Sequence, residues 1–471
     1  MNIHLSKTWA LFLVLILCLL PLGESVHAQD EEPGGPVYIV QDGDTLWDIA
    51  QRFGVPWEEL ARANDISDPG QLSAGDELII PGIEDSGGIL VTTPVPFGES
   101  LRSLTRRYQL TAETIIRLNH LTSPAELYRG FNLVLPEKNQ AEIPVDRLAL
   151  AGGDSLIELA LRKGVNPWQF VVNNSLPGSW GAIPGDVLLL TDEESADGPG
   201  SLPGEIAALT ITPDPLVQGK TSLIQLVSQD AQKIEGRLAD YSLNFFESGD
   251  GKFSALQGIH ALTLPGLYPL VITGELANGV PFGFSQSIFV ASGDYSYSSL
   301  QVPEETIDPE VTGPEDELWT ALAEPVTPER LWEGVFQSPV APSPCGFTDS
   351  FGNRRSYNGS PYNFFHTGLD FCYNYNNEVN EIYAPAAGVV IFAGPLVVRG
   401  NAVMIDHGLG IYSGYMHQAE ILVEEGEKVE VGQVIGIVGG TGRVNGPHLH
   451  LEIWAGGVQV DPLDWLETEF P

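Results

Sequence analysis

Five of the nine histidines in this 471-residue chain fall in its last quarter, at His366, His407, His417, His448 and His450. Two short patterns among them could do chemistry. The first, His366-Thr367-Gly368-Leu369-Asp370, supplies one imidazole and one carboxylate. The second, Gly446-Pro447-His448-Leu449-His450-Leu451-Glu452, alternates apolar and polar residues and runs on into Ile453 and Trp454, so it reads as a strand. Residues two apart on a strand face the same way, so His448 and His450 project together, with a rise of roughly 6.5–7 Å between them. That spacing suits one ring on a metal and the other beside it, acting on whatever the metal holds. Two imidazoles and one carboxylate leave a fourth tetrahedral position for water, which marks a catalytic zinc site rather than a structural one. Ligand type alone also admits Mn²⁺, Co²⁺ or Fe²⁺. The chain has no His-Glu-x-x-His sequence to supply a glutamate base, so a histidine must move the proton. His407 sits in Asp406-His407-Gly408-Leu409-Gly410, which reads as a turn, and it is taken as an ordinary hydrogen-bonded histidine.

The motifs around these residues resemble the catalytic domain of the lysostaphin-type (LytM-like) zinc endopeptidases, over about 342–465. Ser350-Phe351-Gly352-Asn353-Arg354 fits that family's opening motif, His366-x-x-x-Asp370 its first metal motif, and Tyr415-Met416-His417 its catalytic histidine motif. Gly400-Asn401-Ala402-Val403 and Ile405-Asp406-His407-Gly408 fit its central strand and turn, and Gly446 to Glu452 its second metal motif. The resemblance implies that His366, Asp370 and His450 bind one Zn²⁺, and that His417 and His448 act in catalysis. Gln418 stands where the family usually has Leu, a departure expected to alter the wall that the substrate meets.

The elements ahead of this site repeat themselves. Gly43-Asp44-Thr45-Leu46 recurs as Gly98-Glu99-Ser100-Leu101 and Gly153-Asp154-Ser155-Leu156, at a constant offset of 55 residues. Asn64, Asn119 and Asn174 keep that offset, as do Gly75, Gly130 and Gly185. A fixed period at separate anchors marks repeated units. Each unit reads as strand, helix, helix, strand, with Thr or Ser capping the first helix. Tyr38-Ile39-Val40-Gln41-Asp42-Gly43-Asp44-Thr45-Leu46 and Leu78-Ile79-Ile80-Pro81 resemble the opening and end of LysM modules. That resemblance implies binding to the N-acetylglucosamine backbone of peptidoglycan or chitin. The first unit, 37–82, is a close match; the second, 89–137, and third, 147–192, are degenerate.

Residues 205–295 alternate apolar and polar positions between turn signals, as at Leu209, Ile211, Ile224, Leu226, Phe282 and Phe284, and predict a β-sandwich-like domain serving as a spacer or contact module. Residues 296–340 are rich in Pro and acid. Between Glu304 and Glu333 ten acidic residues face one basic residue, Arg330. They predict an extended, solvated linker, with a short helix near Leu318–Ala323. The zinc peptidase domain then spans 341–471. The whole is multidomain and mainly β: βααβ repeats, a sandwich, and an antiparallel β-sheet catalytic domain.

Lys7, the apolar run Trp9–Leu20 and the small residues Val26 and Ala28 read as a secretory signal peptide, 1–28, too short to remain as a membrane span. Cys345 and Cys372 remain after its removal, and an even count in an exported chain points to a disulfide; a Cys372 thiolate at the metal is the weaker alternative. A net charge of −40 argues against nucleic acid and anionic lipid as partners. The expected partner is peptidoglycan, both its peptide stems and its glycan strands, and the expected place is outside the cell, on the wall. Two alternatives accompany this reading. Some LysM-plus-LytM proteins have lost their zinc ligands and activate cell-wall amidases; this chain keeps every ligand position. A plain glycan-binding protein would need only the repeats.

Overall fold

The computed structural model describes residues 35–83, 87–137, 146–190, 200–342, 346–375 and 380–471. The expected signal peptide, 1–28, and Cys345 lie outside them. Among the described residues no helix is long and apolar enough to cross a membrane. Of these, the residues up to Leu90 form one compact unit and those from Val91 another.

The first unit holds the first repeat. Strand Val37–Ile39 pairs antiparallel with Glu77–Ile79, and helices Leu46–Phe53 and Trp57–Ala63 lie between them in sequence. The second repeat has helices Leu101–Tyr108 and Ala112–Asn119 between strands Ile89–Pro94 and Asn132–Pro136. The third has Leu156–Lys163 and Pro167–Asn173 between Asp146–Ala149 and Val187–Leu190, which pair antiparallel.

The anchors that set the period now have physical reasons. Thr45, Ser100 and Ser155 accept the N–H of Asp48, Ser103 and Glu158, capping the first helix of each unit. Gly43, Gly98 and Gly153 all turn with φ near 90°, at +86°, +88° and +91°, where a side chain would be strained. The Asn at each constant offset stands in for a strand edge. Asn174 accepts the Leu189 N–H at 2.7 Å and donates to the carbonyls of Phe170 and Leu189, both at 2.9 Å. Asn64 and Asn119 make the same three bonds, to Leu60 and Ile79 and to Ile115 and Val134. One amide thus locks the second helix to the closing strand in every copy.

The middle region forms two sheets. One carries Tyr241–Leu243, Ala231–Leu238, Gly266–Leu276, Pro281–Ala291 and Leu216–Val217; the other carries Phe246–Glu247, Lys252–Gly258, Thr221–Val227 and Ala208–Thr212. Leu209, Ile211, Ile224, Leu226, Phe282 and Phe284 all enter the core between them. Of the two roles expected for this region, spacer or contact module, its packing fits the second. Leu256 belongs to the core of the C-terminal sheet, and Leu223 and Phe246 pack against that core. Lys220 pairs with Asp461 and Asp464 at 3.0 and 2.7 Å, and the Trp465 indole N–H donates to Thr221.

The C-terminal sheet is antiparallel, in the order Phe347–Asp349, Leu369–Cys372, His448–Ala455, Ile411–Gln418, Gly400–Gly408, Gly388–Leu396, Lys428–Val429, with Val458–Val460 added beside His448–Ala455. One face buries Leu369, Leu449, Leu451, Val403, Ile405 and Tyr415.

The acidic segment also departs from expectation. It is not a solvated tether. Tyr297–Leu300 pairs in parallel with Arg354–Tyr357. The helix runs over Pro309–Leu322, nine residues earlier in its start than Leu318, because Asp308 caps it and Pro309 fills its first position. Trp319, Trp332 and Phe336 are buried. Glu315 is buried too: its carboxylate accepts the N–H groups of Val397, Val398 and Arg399 and pairs with the Arg399 guanidinium at 3.0 Å. Composition pointed to repulsion; the acids are in part acceptors for backbone N–H groups and an arginine.

Candidate metal centre and groove

The site is built by cross-strand register. Asp370 on strand Leu369–Cys372 stands opposite His450, and His450 stands opposite Met416 on the other side. The alternation along His448–Ala455 sends Leu449 and Leu451 into the core and His448 and His450 to the other face. His366 reaches in from the loop before Leu369–Cys372. Its Nε2 lies 3.0 Å from Asp370 Oδ1 and 3.0 Å from His450 Nδ1, and the last two atoms are 2.8 Å apart. The structure therefore brings His366, Asp370 and His450 into one buried cluster.

The donor set fits a zinc ion. Ligands about 2.0–2.1 Å from a tetrahedral ion are spaced by roughly 3.3 Å, close to this triangle. The outer atoms fix the tautomers. His366 donates its Nδ1–H to the Ser350 carbonyl at 2.9 Å, which leaves the Nε2 lone pair facing inward. His450 turns Nε2 toward Glu452 Oε1, at 3.4 Å, which leaves Nδ1 facing inward. Two imidazole lone pairs and a carboxylate oxygen then converge, and only a cation or a shared proton can satisfy all three. With a shared proton in the cation's place, burial opposes ionisation of Asp370, but hydrogen bonding and charge from His366 and His450 outweigh it and hold the carboxyl far below its usual range. Burial likewise opposes a charged His450, but its bonds to Asp370 and Glu452 prevail and push it up to about 9.

Glu452 is the partner that sequence reasoning quoted without a role. It is fully buried, and its Oε2 accepts the indole N–H groups of Trp319 and Trp454, both at 2.9 Å. Its Oε1 accepts the Gln459 amide at 3.0 Å and faces His450. Trp319 comes from the acidic segment, so that segment reaches the His366–Asp370–His450 cluster through Glu452. A carboxylate in the motif His448-Leu449-His450-Leu451-Glu452, facing the same way as both histidines by strand period, was the available signal.

His417 and His448 lie beside the cluster. Their rings are 4.9 Å apart, and His417 is 6.0 Å from His450. His448 Nε2 is 3.7 Å from Asp370 Oδ1. His417 has φ +63°, a left-handed backbone rare for a residue with a side chain, and its strand breaks register there. It donates its Nδ1–H to the Thr441 carbonyl at 2.8 Å, as His448 does to Gly446, leaving Nε2 of each ring for the groove. Burial, then the neighbouring His450 and His448, push His417 down to about 3, so its imidazole is neutral.

Other expected residues sit elsewhere. His407 is on a strand rather than in a turn, wholly buried, with Nδ1 on the Ala387 carbonyl and Nε2 on Ser413. Gln418 is not on the substrate wall. It is buried and aimed at Gly436, where a Cβ would come within 1.7 Å of its amide oxygen. Cys372 is disulfide-bonded, which removes it as a thiolate ligand. A groove of about 720 Å³ opens over the cluster. His260 and Leu262 from the sandwich, Leu300, Val302, Ile307 and Asp316 from the acidic segment, and Arg443 to His448 help line it.

Comparison with known proteins agrees with this architecture. The sequence pattern of Peptidase family M23 matches residues 364–462, and that of the LysM domain matches 38–81 and 95–136. The chain thus carries a peptidase family M23 domain together with two LysM domains. The third repeat shares the strand-helix-helix-strand order. Over 98 residues the chain is 41% identical to the peptidoglycan DD-endopeptidase ShyA of Vibrio cholerae serotype O1, covering 21% of this chain and 22% of that protein. It is 43% identical over 98 residues to the DD-carboxypeptidase/endopeptidase Mpg of Neisseria meningitidis serogroup B, again 21% and 22% of the two chains. The match spans about a fifth of the length of these curated relatives. Among solved structures, the catalytic domain of a variant of the prophage-encoded M23 protein EnpA from Enterococcus faecalis is 30% identical, with a TM-score of 0.23, over 26% of this chain and 94% of that one.

Proposed function

We propose that this chain is an exported, wall-associated zinc endopeptidase that hydrolyses peptide crosslinks of bacterial peptidoglycan, with its LysM domains binding the glycan. The observation that carries the reading is the inward-facing triangle of His366 Nε2, Asp370 Oδ1 and His450 Nδ1, set in a groove beside two further imidazoles. These three residues would hold one Zn²⁺. When bound, the ion supplies Lewis acidity, polarising a carbonyl oxygen and lowering the pKa of water. His417 and His448 are the proton-handling pair. A neutral imidazole with its Nδ1–H tied to a backbone carbonyl presents Nε2 in one fixed direction, where it can take a proton from attacking water and return it to the departing amine. Glu452 fixes the tautomer of His450, and Ser350 that of His366. The groove runs between walls from the sandwich and the acidic segment, so it suits an extended peptide. The relatives named DD-endopeptidases make a crosslink between D-amino acids the first substrate to try.

The test uses full-length protein with His417→Ala and His448→Ala. Zinc content stays at one per chain in both, while hydrolysis of a crosslinked muropeptide falls about 100-fold or more. Retained turnover in both variants would remove the histidines from the proton path. A wild-type protein that holds no zinc would favour the non-catalytic regulator.

A further inference from the structure

The charges lining the groove are nearly all answered within the protein. Asp349 pairs with Arg355 at 2.6 Å, and Asp316 with Arg399 at 2.9 Å. Asp370 lies between His366 and His450, and Glu452 is taken up by its indole, amide and imidazole partners. Arg443 is the exception. Among the described residues no carboxylate comes within 4.0 Å of its guanidinium, in a chain whose net charge is −40. An arginine in so acidic a protein, without a counter-ion, facing the groove, is aimed at something outside the protein.

Arg443 is also held in place. Its guanidinium lies over the Tyr357 ring, 4.8 Å from the centroid, and one Nη donates to the Thr306 carbonyl at 2.8 Å. Its backbone N–H donates to Val398 at 2.8 Å. A guanidinium has five N–H donors in a rigid fork, so one backbone bond leaves enough for a bidentate partner. Thr441, two residues earlier, carries the carbonyl that orients His417, and His448 follows on the same loop. A ligand on Arg443 therefore sits on the segment that orients His417 through Thr441 and leads into His448.

We propose that Arg443 is an anion subsite that receives a free carboxylate of the peptide substrate and sets its register in the groove. This rests on the peptidase reading and narrows it to acidic peptides. Planar, bidentate recognition of a carboxylate is the task for which arginine is suited.

The experiment compares two synthetic crosslinked peptides that differ only in a terminal carboxylate or carboxamide, with full-length zinc-loaded protein. Wild type is expected to favour the carboxylate by about 10- to 100-fold in kcat/KM, mainly through KM, with the ratio falling as salt rises. Arg443→Gln brings the ratio toward one, and Arg443→Lys keeps part of it. Equal rates on both peptides in wild type, or an undiminished ratio in Arg443→Gln, overturn the proposal. Calorimetric binding of each peptide to chelator-stripped protein separates the two readings. If neither peptide is cleaved, the peptidase reading fails, while a carboxylate preference in binding still upholds the subsite and its absence still overturns it.

Discussion

Replacing Glu452 with Gln changes one oxygen and tests how the proposed metal cluster is held. The carboxylate accepts three N–H groups and faces a fourth nitrogen, and it is buried. Burial disfavours its charge, but the His450 hydrogen bond and the charges of His450 and Arg399 prevail and hold it at about 2. A glutamine has one acceptor side and one donor side. With the amide NH₂ at the Oε2 position it meets the indole N–H groups of Trp319 and Trp454, and two charge-assisted bonds are lost. At about 1.5–3 kcal/mol each, and with some relaxation, that costs on the order of 3 kcal/mol of stability. With the NH₂ at the Oε1 position it meets Gln459 and the Nε2–H of His450. The ring can then be satisfied only by moving its proton to Nδ1, the atom that faces Asp370 and His366. Metal affinity falls about 10- to 100-fold in that case. Both orientations are damaging, so the Glu452→Gln protein should bind zinc at least about tenfold more weakly in chelator competition, unfold at lower temperature without metal, or do both. Zinc affinity within about twofold of wild type together with unchanged unfolding would refute the assignment of Glu452 as the residue that orients His450.

Trp319→Phe removes one bond to that carboxylate and part of a fully buried ring, and should cost about 2–4 kcal/mol in chemical unfolding while also weakening zinc binding; no effect would return the helix Pro309–Leu322 to the status of a tether. His407 is pushed down to about 4 by burial, so the folded protein resists protonating it where the unfolded chain, near 6.5, does not. The stability it contributes is complete above about pH 6.5 and is lost as pH falls toward 4, at most about 3 kcal/mol. His407→Gln should flatten that part of the pH–stability curve, and an unchanged slope would contradict the burial argument. Asn174→Ala should leave the buried Leu189 N–H and carbonyl unpaired, while the Phe170 carbonyl keeps the backbone N–H of residue 174; the loss should cost about 2–3 kcal/mol and raise amide exchange in strand Val187–Leu190 first.

The sequence was most legible where physics is local. A strand period places His448 and His450 on one face, and a constant offset of Thr or Ser, Gly and Asn reports a cap, a positive-φ turn and an amide lock. These depend on residues near in sequence. Less legible were features decided by distant partners. The acids of 296–340 suggested repulsion, because nothing in composition reveals that Glu315 would find the N–H groups of Val397 to Arg399. Lys220, Thr221 and Leu256 carry no mark that they join the sandwich to the C-terminal sheet. Gln418 looked like a change to the substrate wall; its direction follows from the backbone at His417, whose left-handed φ no motif announces. Arg443 carries no mark in the sequence, because its interest lies in having no carboxylate beside it among the described residues, which only the assembled groove reveals.

The central claim is that His366, Asp370 and His450 together hold the ion required to cut peptide crosslinks. The most direct measurement is mass spectrometry of muropeptides after purified peptidoglycan is incubated with full-length wild type, with chelator-treated and zinc-restored wild type, and with His450→Ala. Crosslinked dimers should convert to monomers by cleavage of a peptide bond with wild type and the zinc-restored protein, and remain intact with chelator or His450→Ala. Conversion that survives both chelation and the loss of His450, or release of glycan fragments without any cut in a peptide, would contradict it.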